Sequence, residues 1–219
     1  MEANVFERTD ASGSLISAGM YNLTVGLVLC WGFFVNWLMV KGIPTEAIAG
    51  IDFRLFLLGY FGSCFFGVYL FNRSANPAVS FLGYNFVVVP FGFIVNLVVS
   101  RYDTGLVLEA VRITGMVTLV MMFLGSLYPA FFQKISSTLT AALLIVIVVE
   151  FVELFLLGIH HGLIDWIVVA IFCGYVGYDW GRANQIPKTL GNAVDSAAAL
   201  YMDIINLFLR ILRILGRKK

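Results

Sequence analysis

NAVDSAAALYMDIINLFLRILRIL, residues 192–215, is the stretch that decides how the chain folds. It is long enough to cross a bilayer, because about 20 apolar residues span the hydrocarbon core. It nevertheless carries five strongly polar side chains, namely Asp195, Asp203, Asn206, Arg210 and Arg213. At about 100° per residue these side chains share one stripe of a helix, about 100° wide, and the remaining surface is apolar.

The energy of this helix in lipid predicts where it lies. A charged side chain at the bilayer centre costs about 2.5–3.5 kcal/mol, so Asp203 and Arg210 together cost about 5–7 kcal/mol. The leucine, isoleucine and phenylalanine residues around them return about 3–6 kcal/mol. Such a helix is marginal when only lipid surrounds it. We therefore predict that it lies inside a bundle, with its polar stripe facing other helices or a water-filled cavity.

The composition indicates a polytopic membrane protein. Of the 219 residues, 60% are hydrophobic and 12% are charged, whereas a soluble domain has about 25% charged residues. The mean hydropathy is +0.93. A net charge of +1 gives no basic surface for nucleic acid, and the three cysteines lack the spacing of metal ligands. We expect no cofactor.

Polar and turn-forming residues divide the chain into seven predicted membrane spans, an all-α fold. A polar segment of residues 1–18 precedes a single transmembrane domain of residues 19–216, and residues 217–219 form a basic tail. His160 and His161 are assigned to a loop between two spans. The predicted spans are 19–40, 53–71, 79–99, 106–125, 139–158, 163–181 and 192–215.

Two further pairs of charged residues lie inside predicted spans. Glu109 and Arg112 are three residues apart and hence neighbours on one helical face, which favours either a compensating ion pair or a pore-lining pair. Glu150 and Glu153 have the same spacing and the same sign. Two carboxylates in a low-dielectric site cannot both ionise cheaply. They therefore form a cation or proton site, or they lie in wet surroundings or pair with an arginine.

The end of the chain carries a family resemblance. Residues 174–180 read GYVGYDW and place Asp179 near the end of the sixth span, and residues 200–208 read LYMDIINLF around Asp203. Residues 209–216 follow as LRILRILG. This pattern resembles the Bax-inhibitor (TMBIM) family, whose motif is an Asp closing the sixth helix and then Leu-Tyr-x-Asp-x-Ile-Asn-Leu-Phe in a central seventh helix. The match covers about the last fifth of the chain.

The resemblance implies two layers of three helices around the seventh and a calcium leak whose opening depends on pH. Asp179 and Asp203 match the family's aspartate dyad, which is the pH sensor. An arginine after the second helix contacts that dyad in the family, and Arg73 is the nearest residue here. The family is found in the bacterial inner membrane or the endoplasmic reticulum, and the short N-terminal segment favours a bacterial inner membrane.

Physical chemistry supports the implied site. Two buried carboxyl groups within hydrogen-bonding distance share a proton and titrate as a pair. Ca²⁺ prefers several oxygen ligands, which Asp179, Asp203 and Asn206 supply in part. Asn206 and Arg210 extend the polar stripe as pore-lining candidates. In the competing interpretation Asp203 only pairs with Arg210, seven residues along the same helix.

Three functions are compatible with these features. The first is a pH-gated Ca²⁺ leak, without enzymatic activity, in which protons and Ca²⁺ are the ions sensed or moved. The second is a membrane regulator that transports nothing and acts through contacts with partner proteins. The third is an intramembrane aspartyl protease, which also places one Asp on each of two late helices. That class has a Gly-x-Gly-Asp motif at its second Asp, whereas Leu200, Tyr201 and Met202 precede Asp203 here.

Overall fold

The computed structural model describes residues 14–73, 76–153 and 162–217, with backbone only for residues 71–73. Arg73 is the last residue of a helix, and its side chain lies outside the described part, as do His160 and His161. Within the described ranges the chain is helical and contains no strand. The helices are α1 (Ala18–Gly42), α2 (Thr45–Ala49), α3 (Phe53–Arg73), α4 (Pro77–Val99), α5 (Thr104–Leu127), α6 (Pro129–Val152), α7 (Gly162–Gln185) and α8 (Leu190–Gly216).

Six helices of the described chain are long and apolar enough to cross a membrane, namely α1, α3, α4, α5, α6 and α7. The chain is thus an integral, multi-pass membrane protein. α8 is not among the six, since it carries two aspartates and two arginines. Six of the seven predicted spans are therefore confirmed. The seventh span and the arrangement in two layers stay predictions.

The start of the fifth predicted span was placed wrongly. We expected residues 133–137, with their polar side chains, to separate two spans, but α6 already begins at Pro129. Proline suits the first position of a helix because its missing N–H would have no partner there. The Ser136 and Thr140 hydroxyls donate to the carbonyls of Gln133 and Ser136, so these residues remain compatible with a helix.

The helices form two compact units. The first runs up to Arg101 and takes in Gln185–Tyr201, so it holds α1–α4 and the first part of α8. In this unit α4 packs against both α1 and α3. Pro90 inside α4 cannot donate a hydrogen bond to the Phe86 carbonyl. The Ser63 hydroxyl of α3 donates to that carbonyl instead, at 2.7 Å, so the proline leaves no unpaired acceptor.

Polar side chains join α1 to the first part of α8 within this unit. The hydroxyls of Tyr21 and Ser196 are 2.8 Å apart, and Tyr201 donates to Asn36 at 2.7 Å. Lys188 belongs to the segment that connects α7 and α8. Its ammonium lies 4.4 Å from the centre of the Tyr21 ring, and burial lowers the pKa of this lysine. The first part of α8 is therefore held by specific polar contacts.

The second unit comprises Tyr102–Asn184 and the chain from Met202 onward, hence α5–α7 and the second part of α8. Glycines allow α5 and α7 to approach closely. A Cβ atom on Gly125 would overlap the carbonyl oxygen of Gly177. Trp180 donates to the Ser126 hydroxyl at 2.8 Å across the same helix pair. This packing fixes the position of α7 along its axis relative to α5, and α7 carries Asp179.

Candidate functional site

Asp179 of α7 and Asp203 of α8 meet in the second unit. Their side chains form a hydrogen bond with each other. Asp203 is only 6% exposed, and Asp179 is partly buried. An ionised carboxylate only accepts hydrogen bonds, so a bond between two carboxyl groups requires a proton on one of them. That Asp179 and Asp203 share a proton stays a prediction.

Few other polar groups interact with this aspartate pair. The Oδ2 atom of Asp203 is buried without a hydrogen-bond partner. Arg182, three residues after Asp179 on the same helical face, exerts a favourable charge interaction on Asp179. Tyr175, one turn before Asp179, is close enough to interact electrostatically with both aspartates, and its hydroxyl donates to Thr140 of α6 at 3.0 Å. The pair thus has a nearby cation and a buried oxygen that remains available.

A second group of charges surrounds Asp165, in the first turn of α7. We call Glu150, Asp165, Arg210, Arg213 and Arg217 the arginine–carboxylate cluster. Asp165 is 0% exposed and is within 3.0 Å of Arg210, 3.2 Å of Arg213 and 2.9 Å of Arg217. Arg210 also binds Glu150 of α6 with both Nη atoms, the second at 2.7 Å. The cluster therefore joins the C-terminal part of α8 to α6 and α7.

These contacts decide between two sequence interpretations. Arg210 pairs with Glu150 and Asp165, whereas Asp203 bonds to Asp179, so the interpretation that Asp203 only pairs with Arg210 is wrong. For Glu150, the interpretation as a partner of an arginine is confirmed. Glu153, the last residue described before the gap, is 7% exposed.

The other predicted site residues lie apart from the aspartate pair. Glu109 and Arg112 are exposed on α5, and no ion pair between them occurs in the described structure. Asn206 is partly buried and donates to the Met202 carbonyl of its own helix at 2.8 Å. A pore-lining role for these three residues stays a prediction. Among the described residues, no group of three or more His, Cys, Asp or Glu side chains could hold a metal ion.

Sequence reasoning missed Asp165 and the role of Arg217. A lone aspartate at the start of an apolar run is indistinguishable from an ordinary helix boundary. The available signal was the charge balance, since Arg210 and Arg213 in a membrane-length helix require buried acids. The end of one span and the start of the next also lie at the same end of a bundle, which would have placed Asp165 near Glu150.

The chain matches a known family over nearly its whole length. A family model described as "Inhibitor of apoptosis-promoting Bax1" matches residues 15–219. An uncharacterized membrane protein of Streptococcus pyogenes serotype M6 is 27% identical over 232 residues, which cover 97% of each chain.

Eukaryotic proteins are also similar. Protein lifeguard 4 of Mus musculus is 32% identical over 164 residues, which cover 74% of this chain and 66% of the mouse protein. Protein LIFEGUARD 3 of Arabidopsis thaliana is 31% identical over 152 residues, covering 67% of this chain and 60% of the plant protein.

Proposed function

The chain belongs to the family described as "Inhibitor of apoptosis-promoting Bax1", and on that premise we propose that it is a pH-sensitive leak for Ca²⁺. The proton shared by Asp179 and Asp203 controls the leak. The observation that carries this proposal is the hydrogen bond between the two carboxyl groups, one on α7 and one on α8. Titration of that proton changes the force between two helices of one unit.

The two protonation states of the aspartate pair differ in their contacts. With the proton in place, the carboxyl groups attract each other across the helix pair. Without it, two negative charges face each other in a poorly hydrated site, where charge interactions are stronger than in water. Separation of the helices, a move of Arg182 toward the pair, or the binding of a hard cation relieves that repulsion. Each response couples pH to the conformation or to the ion.

Ca²⁺ is the cation proposed for the leak. It takes about 6–8 oxygen ligands in flexible geometry, and carboxylates are its usual protein ligands. Asp179 and Asp203 offer part of such a shell, including the Oδ2 atom of Asp203 that has no hydrogen-bond partner. Water completes the shell of an ion that passes rather than stays. Transient binding of this kind suits conduction, because an ion that binds too tightly does not leave.

Reconstitution into liposomes that contain a calcium indicator tests the proposal. We expect the wild-type protein to leak Ca²⁺ at a rate that changes with pH, and Asp179→Asn and Asp203→Asn to abolish most of that change. Asparagine keeps the size and the hydrogen bond of the aspartate but cannot titrate. Glu46→Gln, a neutralisation of an exposed carboxylate on α2, is the matched control and should keep the wild-type pH profile.

The outcomes are distinct. If both asparagine variants keep the wild-type pH profile, the aspartate pair is not the sensor. If reconstituted wild-type protein leaks no faster than empty liposomes at any pH, the chain is not a leak. The regulator then becomes the better proposal. The description of the family as an "Inhibitor of apoptosis-promoting Bax1" favours that second function.

We place the protein in the plasma membrane of a bacterium. The support is the similarity to a streptococcal membrane protein over 97% of both chains, whereas the mouse and plant relatives match shorter parts. The endoplasmic reticulum is the competing location. Fractionation of cells that express the native protein, followed by detection with an antibody, distinguishes the two.

A further inference from the structure

In the described structure, the aspartate pair is one place where α7 is bonded to the second part of α8. Another is the contact of Asp165 with the three arginines of the arginine–carboxylate cluster. Asp165 and Asp179 are 14 residues apart on α7, about 21 Å along the helix axis. Asp203 and Arg210 are 7 residues apart on α8, about 10 Å. The two helices are thus joined at two separate levels.

The two contacts respond differently to pH. The contact between Asp179 and Asp203 depends on a proton that one carboxyl group must hold. The cluster instead pairs arginines, which stay charged at any physiological pH, with the carboxylates of Glu150 and Asp165. Titration of the aspartate pair therefore leaves the cluster intact.

The geometry of Arg210 makes it the central member of the cluster. Its side chain is 17% exposed, and its guanidinium contacts Glu150 of α6 and Asp165 of α7 at the same time. A guanidinium that binds a carboxylate with two nitrogens has a fixed orientation as well as a charge. Arg210 thus bridges three helices at a point on the polar stripe of α8. A cation that follows this stripe from Asp203 meets the bridge after Asn206.

The charges of the cluster oppose a passing cation as well. Three arginines face two carboxylates among the contacts described, and Glu153 is buried one turn after Glu150. Asp165 is 0% exposed and accepts from all three arginines, so water does not compete for its oxygens.

We propose that the arginine–carboxylate cluster is a second closure of the cation route. The cluster holds α8 against α6 and α7 in both protonation states of the aspartate pair. This inference rests on the proposed leak function. The cluster residues act as positioning residues: they set how far α8 can move, while the aspartate pair sets how that movement depends on pH. The leak rate is then the product of two controls, of which only the aspartate pair depends on the shared proton.

Single neutralisations in the full-length protein test this closure in the same liposome assay. We expect Arg210→Gln and Glu150→Gln each to raise the leak at every pH, by about tenfold, which corresponds to about 1.4 kcal/mol. The pH of the half-maximal change should stay at the wild-type value, because the aspartate pair is untouched. Arg213→Gln, whose side chain is 35% exposed, should raise the leak by no more than about fivefold, since exposed pairs are worth less than about 1 kcal/mol.

Lys134→Gln is the matched control, since it removes an exposed cation of α6 in the same unit. The double variant Glu150→Gln with Arg210→Gln should raise the leak by less than the product of the two single effects, because both changes remove the same contact. A merely structural role would lower the yield of folded protein without this coupling of the leak rates. Only monodisperse protein is reconstituted, so that each rate refers to folded molecules.

Hydrogen exchange gives a readout that does not depend on transport. Amides of residues 209–216 should exchange faster in Arg210→Gln and Glu150→Gln than in the Lys134→Gln control. Leak rates equal to wild type in both cluster variants would overturn the closure while leaving the proposed function in place. A higher leak in Arg210→Gln with a lower one in Glu150→Gln would also overturn it, since it would indicate a charge barrier alone. Absence of any wild-type leak would refute the proposed function, and the closure with it.

Discussion

Replacement of Asp165 by asparagine tests the electrostatics of the arginine–carboxylate cluster with the smallest change of shape. Removing one partner of a buried ion pair costs about 3–5 kcal/mol, because the other charge stays buried and unpaired. Arg213 and Arg217 are each 35% exposed, so solvent screens them and each contributes at most about 1 kcal/mol. Asparagine also keeps one acceptor oxygen. We therefore expect a loss near the lower limit, about 3 kcal/mol in the free energy of unfolding.

This loss is measurable as a shift of the melting temperature. For a chain of this length, 1 kcal/mol corresponds to about 2–4 °C, so Asp165→Asn should melt about 6–12 °C below wild type. Thermal unfolding in detergent, followed by circular dichroism, measures the shift. Glu109→Gln is the control, and it should stay within about 0.5 kcal/mol of wild type because its side chain is exposed.

A double replacement separates the ion pair from the space that it fills. Arg210→Met combined with Glu150→Met removes both charges of the bidentate contact, and replacing a buried ion pair as a whole is often neutral. We expect the double variant to be more stable than Arg210→Met alone. If Asp165→Asn has the melting temperature of the wild type, and if the stability losses of the two methionine replacements simply add, the cluster does not stabilise the second unit.

Two further predictions concern packing. Gly125→Ala should destabilise the protein by about 1–3 kcal/mol, because the new methyl group overlaps the backbone of α7. The control is Gly115→Ala on the same helix, whose methyl group meets no atom within 4 Å and should be neutral or stabilising. Equal melting temperatures of the two variants would contradict this packing. Ser63→Ala should lower the free energy of unfolding by about 1–3 kcal/mol, since it leaves the Phe86 carbonyl unpaired opposite Pro90. The control is Ser137→Ala, at an exposed serine. An equal loss of stability in that control would refute the role of the Ser63 hydrogen bond.

The sequence predicted the helices well because each apolar run ends at polar or turn-forming residues, which are unfavourable in the hydrocarbon core. The start of α6 shows the limit of that reasoning. Serine and threonine satisfy their hydroxyls on carbonyls of the preceding turn, as Ser136 and Thr140 do, so they do not interrupt a helix. A polar segment between two apolar runs therefore does not by itself indicate a loop.

The candidate site was predictable in part. Asp203 stands out because a carboxylate inside a membrane-length segment is costly, whereas Asp179 was predicted from the resemblance of residues 174–180 and 200–208 to the Bax-inhibitor motif. Asp165 does not stand out, since its cost becomes visible only when three arginines of a distant segment are seen to converge on it. Contacts of this kind depend on the relative rotation of two helices, which the sequence does not encode locally.

The partners of Arg210 also bear on how the protein is made. α8 emerges from the ribosome after α6 and α7, and on its own it does not favour the bilayer. The acids that compensate Arg210 lie on α6 and α7, which are already inserted at that moment. In the predicted seven-span arrangement, entry of α8 into the membrane is thus an assembly step that depends on the preceding helices. A substitution at Glu150 or Asp165 would then slow this step and lower the yield of protein, while the molecules that complete it fold and can be purified.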